Sequence, residues 1–340
     1  MTNVLQLSFR FRAALALTFL AASAVFAGSG PRIHLVPVFK PGDSFRYQIE
    51  TRMATAGKTT TPIVNPEGAT QLKQSVSVLL RLDVLDVQPG ANGALGRMRL
   101  RATYEKSVAS SETDAYDPNS AALVDQYNRL EGRSMEFTVE PDGKLADIRG
   151  LEDMLSNPSA AQTVRSWMTG LSASAGFPAG GIEIGQKWSR EQPLTGIPLD
   201  HLFWRTEATY LRNELCPDNT PASPRDAVAK APNANSPLCA VILTRFTIVR
   251  HGDHSSHADE TPEDYRRNGL RTSGTWTASG ESLDYISLSN GYVIRSAQSS
   301  TQDVDFAVTS TRTGSQMSYK GKIETDSQIN LLPASVPQQP

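Results

Sequence analysis

Apolar and polar residues alternate one by one over long stretches of this chain. Phe45, Tyr47 and Ile49 alternate with Arg46, Gln48 and Glu50. Val76, Val78, Leu80, Leu82 and Val84 repeat the pattern, and Met98, Leu100, Ala102 and Tyr104 do so again between Arg97, Arg99, Arg101 and Thr103. A period of two belongs to an antiparallel strand with one face toward a core and the other toward water. Pro89-Gly90-Ala91-Asn92-Gly93, Asp142-Gly143 and Asn290-Gly291 supply the turns between such strands. Residues 271–332, rich in Ser, Thr, Tyr and Val, read as several further long strands. Helical spacing occurs at Leu123, Tyr127 and Leu130, and again at Val164, Trp167, Met168 and Leu171, which predicts helices over 120–130 and 151–173. Long polar connections are expected at 54–70, 107–120, 213–238 and 252–270.

The pattern is written twice. One stretch opens at Gly42-Asp43-Ser44-Phe45-Arg46-Tyr47 and closes around Asp142-Gly143; the other opens at Gly185-Gln186-Lys187-Trp188-Ser189-Arg190 and closes around Asn290-Gly291. The spacings are 143 − 42 = 101 and 291 − 185 = 106 residues. Ser134, Glu136 and Phe137 align without gaps on Ser282, Asp284 and Tyr285. The fold class expected is mainly β (a β-rich α+β fold): two related antiparallel curved-sheet halves with one helical segment between them. The first half spans 28–175 and the second 176–332, with the break at Gly176-Phe177-Pro178-Ala179-Gly180-Gly181 and a disordered tail over 333–340.

The first residues change where this fold is expected to work. Arg10 and Arg12 precede the apolar run 13–21, and small residues follow, with cleavage sites after Ala24 or Ala27. This is the layout of a signal peptide over 1–27, and the run is shorter than the ~20 apolar residues of a spanning helix. Cleavage after Ala27 leaves 340 − 27 = 313 residues and, by removing two arginines, shifts the net charge from −2 to −4. No cysteine near the cleavage zone offers a thiol for a lipid, so the mature protein is expected in the periplasm or secreted, not membrane-spanning. Mild acidity excludes a nucleic-acid partner of the usual basic kind.

Cys216 and Cys239 are the two cysteines of the chain. An even pair in an oxidising compartment reads as a disulfide, here clamping the base of a hairpin whose tip, 217–238, is rich in Pro, Asn, Ala and Asp. A redox pair would call for Cys-x-x-Cys, which is absent.

Motifs that carry chemistry are missing: no Gly-x-Ser-x-Gly, Ser-x-x-Lys or His-Glu-x-x-His occurs. Gly57-Lys58-Thr59 lacks the earlier glycine of a phosphate loop, with Arg52 in its place. Asp303 and Asp305 share one strand face, as solvated faces often show. The one suggestive cluster is His251, His254 and His257 among Asp253, Asp259 and Glu260. Imidazole and carboxylate suit zinc or another transition metal, weakly bound if the loop is irregular; a polar loop that happens to be His-rich is the plainer reading. No other cofactor is expected. Trp188, Trp204, Tyr210, Trp276 and Tyr285 fall on predicted strands of the second half, where they either fill a core or line a concave sheet.

The Gly-Asp-x-aromatic-x-Tyr opening at 42–47, the turn Asp142-Gly143-Lys144 leading to 151–155, and the restart Phe177-Pro178 with Gly185-Gln186-Lys187-Trp188 carry a resemblance. The chain resembles a family of uncharacterised bacterial exported proteins and lipoproteins, known only as a domain of unknown function. It departs from that family in lacking a lipoprotein cysteine and in its 216–239 insertion and His-rich loop. No catalytic residue is established for that family, so the resemblance implies export and carries nothing over about activity. The function expected is that of a non-enzymatic envelope protein binding a ligand or an envelope protein partner through its sheets. The alternatives are a periplasmic carrier of lipophilic molecules, with an apolar ligand, and a metal-binding protein using 251–260.

Overall fold

In the computed structural model, residues 32–60, 69–88, 90, 96–114, 118–141, 145–150, 154, 176–178, 180–194, 197–217, 237–251 and 261–333 are described. Eleven strands form one antiparallel sheet: β1 (Ser44–Thr60), β2 (Ala69–Val87), β3 (Met98–Thr113), β4 (Ser134–Val139), β5 (Leu145–Arg149), β6 (Lys187–Pro193), β7 (Leu202–Leu215), β8 (Leu238–Arg250), β9 (Leu270–Ser287), β10 (Val293–Ser310) and β11 (Gln316–Leu332). The two helices among the described residues are short, α1 (Pro118–Asn128) and α2 (Glu263–Arg267). The mainly β expectation holds. The two halves contribute to a single continuous sheet, ordered β5-β4-β3-β2-β1-β11-β10-β9-β8-β7-β6, with β5 and β6 as free edges and no closure into a barrel. The helix expected over 151–173, the Asp142-Gly143 turn, residues 1–31 and most of the tail lie outside the described residues. The helix expected over 120–130 is found two residues earlier, as α1.

Three expected loops are shorter than the sequence suggested. β1 runs to Thr60 and β2 starts at Ala69, β3 runs to Thr113, and β7 and β8 reach Leu215 and Leu238. Small and polar residues such as Ala54, Ala56 and Gly57 carry no apolar alternation, yet their backbones are fully paired on both sides: Gly57 faces Gly321 on β11 and Thr70 on β2. Between 252 and 270 the chain instead holds α2.

Paired residues in an antiparallel ladder point to the same side, so the registers define one inner face across all strands. On it, Tyr47, Leu80, Leu100, Tyr104, Met135 and Phe137 form a first buried cluster, joined by Leu130 and Met154. Tyr210, Ile242, Ala240 and Ile286 form a second with Ile182 and Leu35. Residues 32–40 cross this face as a strap. Val36 and Phe39 lie on the first cluster, Ile33 and Leu35 on the second, and Ile33 exchanges two backbone hydrogen bonds with Ile182. At the β9–β10 hairpin Gly291 has φ +71°, and a Cβ there would stand 2.5 Å from the Val36 carbonyl oxygen. The Asn290-Gly291 turn is therefore also a seat for the strap. The Tyr292 hydroxyl donates to the Val38 carbonyl at 2.6 Å, and burial with the nearby Asp43 carboxylate pushes its pKa up to about 12.

The outer face carries paired charge. Glu136 accepts from Arg99 and Arg101 at 2.5 and 2.7 Å, Glu105 from Arg46 and Arg81, and Asp305 meets Lys320 at 2.9 Å. Asp303 lies opposite Lys322, so the strand-face pair of aspartates sits among lysines.

Candidate ligand-binding face

Beyond the strap, and away from α1 on β3, the inner face continues from β1 to β8 without a described strand or helix packed across it. The registers stack it in rows. The first row reads Ile49, Ile329, Ser296, Asp284, Ile242 and Tyr210 from β1 through β11 to β7. The next is a hydroxyl and amide belt, Thr51, Ser327, Gln298, Ser282 and Thr244, in which the Thr51 and Ser327 hydroxyls are 3.2 Å apart. Further along come Met53, Thr325, Ser300, Gly280 and Phe246, and finally Gly57, Gly321, Val304 and Trp276. From Asp284 to Trp276 is eight residues of β9, about 27 Å at ~3.4 Å per residue.

Two aromatic side chains of this face, Phe246 and Tyr319, lie against glycines. A Cβ on Gly280 would sit 2.3 Å from the Phe246 ring, and Cβ atoms on the facing pair Gly57 and Gly321 would sit 2.8 and 2.6 Å from the Tyr319 hydroxyl. Glycine inside a strand commonly marks such a close approach. Trp276 stacks on Phe306 with centroids 6.4 Å apart and planes 3° from parallel, and its Nε1 donates to Gln302 Oε1 at 3.0 Å. The Tyr319 hydroxyl is buried with no hydrogen-bond partner, and burial raises its pKa. The surface left is long and low, with apolar rings at one end and hydroxyls and amides in its middle.

Four of the five aromatic residues singled out from sequence share the inner face, but they do not converge. Trp188 and Tyr210 belong to the second closed cluster, Trp204 packs on Phe246, and Trp276 is at the far end. Tyr285 is on the outer face, opposite Arg295 and Val241, where burial and the Glu214 carboxylate raise its pKa. The gapless alignment of the two closing segments therefore sets residues on opposite sides: Phe137 points inward and Tyr285 outward, Glu136 outward and Asp284 inward. A shift of one residue in a strand has this consequence.

Asp284 was not singled out from sequence. Its Oδ1 accepts from Ser296 Oγ at 2.6 Å and its Oδ2 from Ser282 Oγ at 3.1 Å. Burial raises its pKa, against the smaller opposing effect of the two serines. The one available signal was an acidic residue at even spacing with Ile286, Ser282 and Ala278 on a strand.

The disulfide between Cys216 and Cys239 is present, at the β7–β8 end, where Glu214 pairs with Cys239. Bonds of this kind persist in oxidising compartments, in agreement with an extracytoplasmic location. Of the three histidines, His251 is described. Its Nε2 is 2.6 Å from Glu191 Oε2, its ring meets Phe203 edge-on, and His251 followed by Arg205 draws the Glu191 carboxyl below its usual pKa. His254 and His257 lie outside the described residues. Among the described residues no three His, Cys, Asp or Glu side chains are grouped to hold a metal ion, and no described helix is long and apolar enough to cross a membrane.

No family model matches this chain, and neither does any curated protein. Among solved structures it is similar to lipovitellin, from a structure of lipid–protein interactions in that protein, at 13% identity and TM-score 0.40 over 88% of this chain and 26% of that one. The chain thus spans about a quarter of the lipovitellin chain. It is similar also to the outer membrane protein OprG of Pseudomonas aeruginosa (6% identity, TM-score 0.14, covering 88% and 100% of the two chains). A third likeness is to an outer membrane channel of Pseudomonas putida F1 (6%, TM-score 0.18, 87% and 97%). With TM-scores below 0.5, none of these bears on function.

Proposed function

We propose that this is an exported binding protein, processed by removal of residues 1–27 and working in the periplasm, that holds an elongated amphipathic ligand along the inner face of its sheet. One observation carries the reading. The inner face is sealed by the strap over two clusters and then runs on for about 27 Å at ~3.4 Å per residue, with hydroxyls and amides followed by aromatic rings. A face built only to be wetted has no use for the ring cluster of Trp276, Phe306 and Tyr319, and a face built for a purely apolar guest has no use for Gln298, Ser300 and Thr325. An amphipathic guest uses both.

Two related halves remain our reading of the chain's construction. It is supported by Gly42 and Gly185, both with positive φ, whose N–H groups donate to the strand after next in chain order, at Val84 and Tyr210. A place between β3 and β4 for α1, and between β8 and β9 for α2, supports it further.

The test is direct. The full chain is expressed with export, purified without detergent, and its organic extract is analysed by mass spectrometry. A stoichiometric amphiphile is expected, and a variant with Ser300→Trp and Thr325→Trp, facing half-buried positions of the inner face, should lose it while keeping its β circular dichroism. Wild-type protein that carries no amphiphile and binds none on addition would refute the reading.

A further inference from the structure

Asp284 is the one carboxylate of the described inner face that stands in a row of apolar neighbours and has no cation. Ile242 and Ile329 lie in its row, with Ser296 between it and Ile329, and Ile286 is two residues along its own strand. The outer-face carboxylates of Glu136, Glu105, Asp305 and Glu324 are each ion-paired, to Arg or Lys. Asp284 receives two serine hydroxyls and nothing charged. A carboxylate has about four lone-pair sites, so two remain open. Removing a carboxylate from water without a counter-charge is unfavourable, and proteins normally pair it or neutralise it. A counter-charge that pairs the ionised form would have to arrive with something that is not part of the described chain.

What lies next to Asp284 describes the rest of that visitor. The belt of Gln298, Ser327 and Thr51 adjoins it on the inner face, and the aromatic end lies farther along the same strands. Resting on the binding reading above, we propose that Asp284, set between Ser282 and Ser296, is the anchor for a protonated amine head group, and that the ligand is a cationic amphiphile whose apolar part runs toward Trp276. An ammonium has three donors and no acceptor. It would meet the two open lone-pair sites of Asp284, leaving its third donor for a belt oxygen. The serines hold the carboxylate still, which lowers the cost of ordering it on binding.

The experiment uses the full exported chain after its own lipid has been extracted. Dodecylamine, monolaurin and dodecyl sulfate, each below its critical micelle concentration, are titrated at high ionic strength so that net charge is screened, with tryptophan fluorescence as the readout. Wild-type protein is expected to bind dodecylamine about tenfold or more tighter than dodecyl sulfate, a difference of about 1.4 kcal/mol. Asp284→Asn should abolish that preference while keeping monolaurin affinity, and Glu281→Gln, on the outer face, should leave the preference intact. Equal affinity of the wild type for the amine and the sulfate, or a preference that survives Asp284→Asn, overturns the anchor and leaves the binding face standing. Failure of all three amphiphiles to bind overturns both. The wild-type comparison requires no variant, so a misfolded Asp284→Asn protein would not rescue the proposal from a negative result.

Discussion

Breaking the Cys216–Cys239 bond should cost a calculable amount. The bond closes a loop of 23 residues. In the chain-entropy description the unfolded chain regains 2.1 + 1.5R ln n, about 11 cal/mol/K for this loop, or about 3.4 kcal/mol at 25 °C. Little of this is expected to be offset in the native state. The loop ends are already fixed by the β7–β8 ladder, through Glu214 opposite Cys239 and the Cys216 N–H bonded to the Pro237 carbonyl at 2.9 Å. The reduced hairpin therefore has the same folded geometry to return to. Cys239 is fully buried, so mild reduction in partial denaturant, followed by alkylation-free measurement under reductant, separates loss of the bond from loss of the sulfur atoms. For a chain of about 300 residues the unfolding entropy is about 0.6 kcal/mol/K, and the melting temperature should fall by about 5 °C. Guanidinium titration of oxidised and reduced protein gives the free energies directly. A difference below about 1 kcal/mol would show that the 216–239 segment stays compact when the protein unfolds, and the entropic account would be wrong here.

Leu80 has no exposed surface and sits in the middle of the first cluster, so Leu80→Ala should lower stability by about 2–5 kcal/mol in the same titration. Gly280→Ala should destabilise by about 1–3 kcal/mol although alanine suits a strand better than glycine, because the new Cβ meets the Phe246 ring and the Ser299 carbonyl; a stabilised variant would show that the ring is not seated there. Glu136 has a lowered pKa through its hydrogen bonds to Arg101 and Arg99. Its contribution of about 0.5–1 kcal/mol is present above the ordinary value of 4.5 and lost as pH falls through the lower folded value, so Glu136→Gln should flatten that acid limb of a stability–pH curve. Asp284 has the opposite sign: its raised pKa means that stability is lost as pH rises through the folded value, so Asp284→Asn should melt at or above the wild-type temperature at pH 7 and show a weaker decline from acid to neutral pH. A lower melting temperature at pH 7 would mean that the carboxylate is a structural tie between β9 and β10.

How much of this could be read from the chain depended on whether a strand face is covered. β3 alternates buried and exposed along its first half, and Met98, Leu100, Ala102 and Tyr104 announced it. Where no described element covers the inner face, selection for apolar residues relaxes and alternation fades while the backbone ladder continues. That is why 54–60 read as a loop, and why the far end of the face was visible only as scattered aromatics; 107–113 read as a loop because the positions buried under α1 there are the small Ser107 and Ala109. Tyr285 was misplaced for a related reason. Leu283 and Tyr285 on one side and Ile286 on the other give β9 apolar residues at both parities, and period two then no longer says which side is in. Asp284 was hidden by the same ambiguity. The cysteine pair, in contrast, needed only the count and the compartment.

The sheet order also governs when the molecule can be finished. β11, the last strand of the chain, is not at an edge. It lies between β1, whose Ile49 pairs with Ile329, and β10, whose Ser296 pairs with the same residue. Until Gln316–Leu332 is in place, both β1 and β10 present long unpaired backbones of the kind that recruit other chains, and the β1–β11 pairing spans most of the chain, the slowest type to close. Synthesis that delivers the N-terminus first therefore leaves two sticky edges waiting for one strand. A frameshift or proteolytic cut near residue 315 removes the ladders on both sides of β11 and should thus produce aggregation as well as loss of stability.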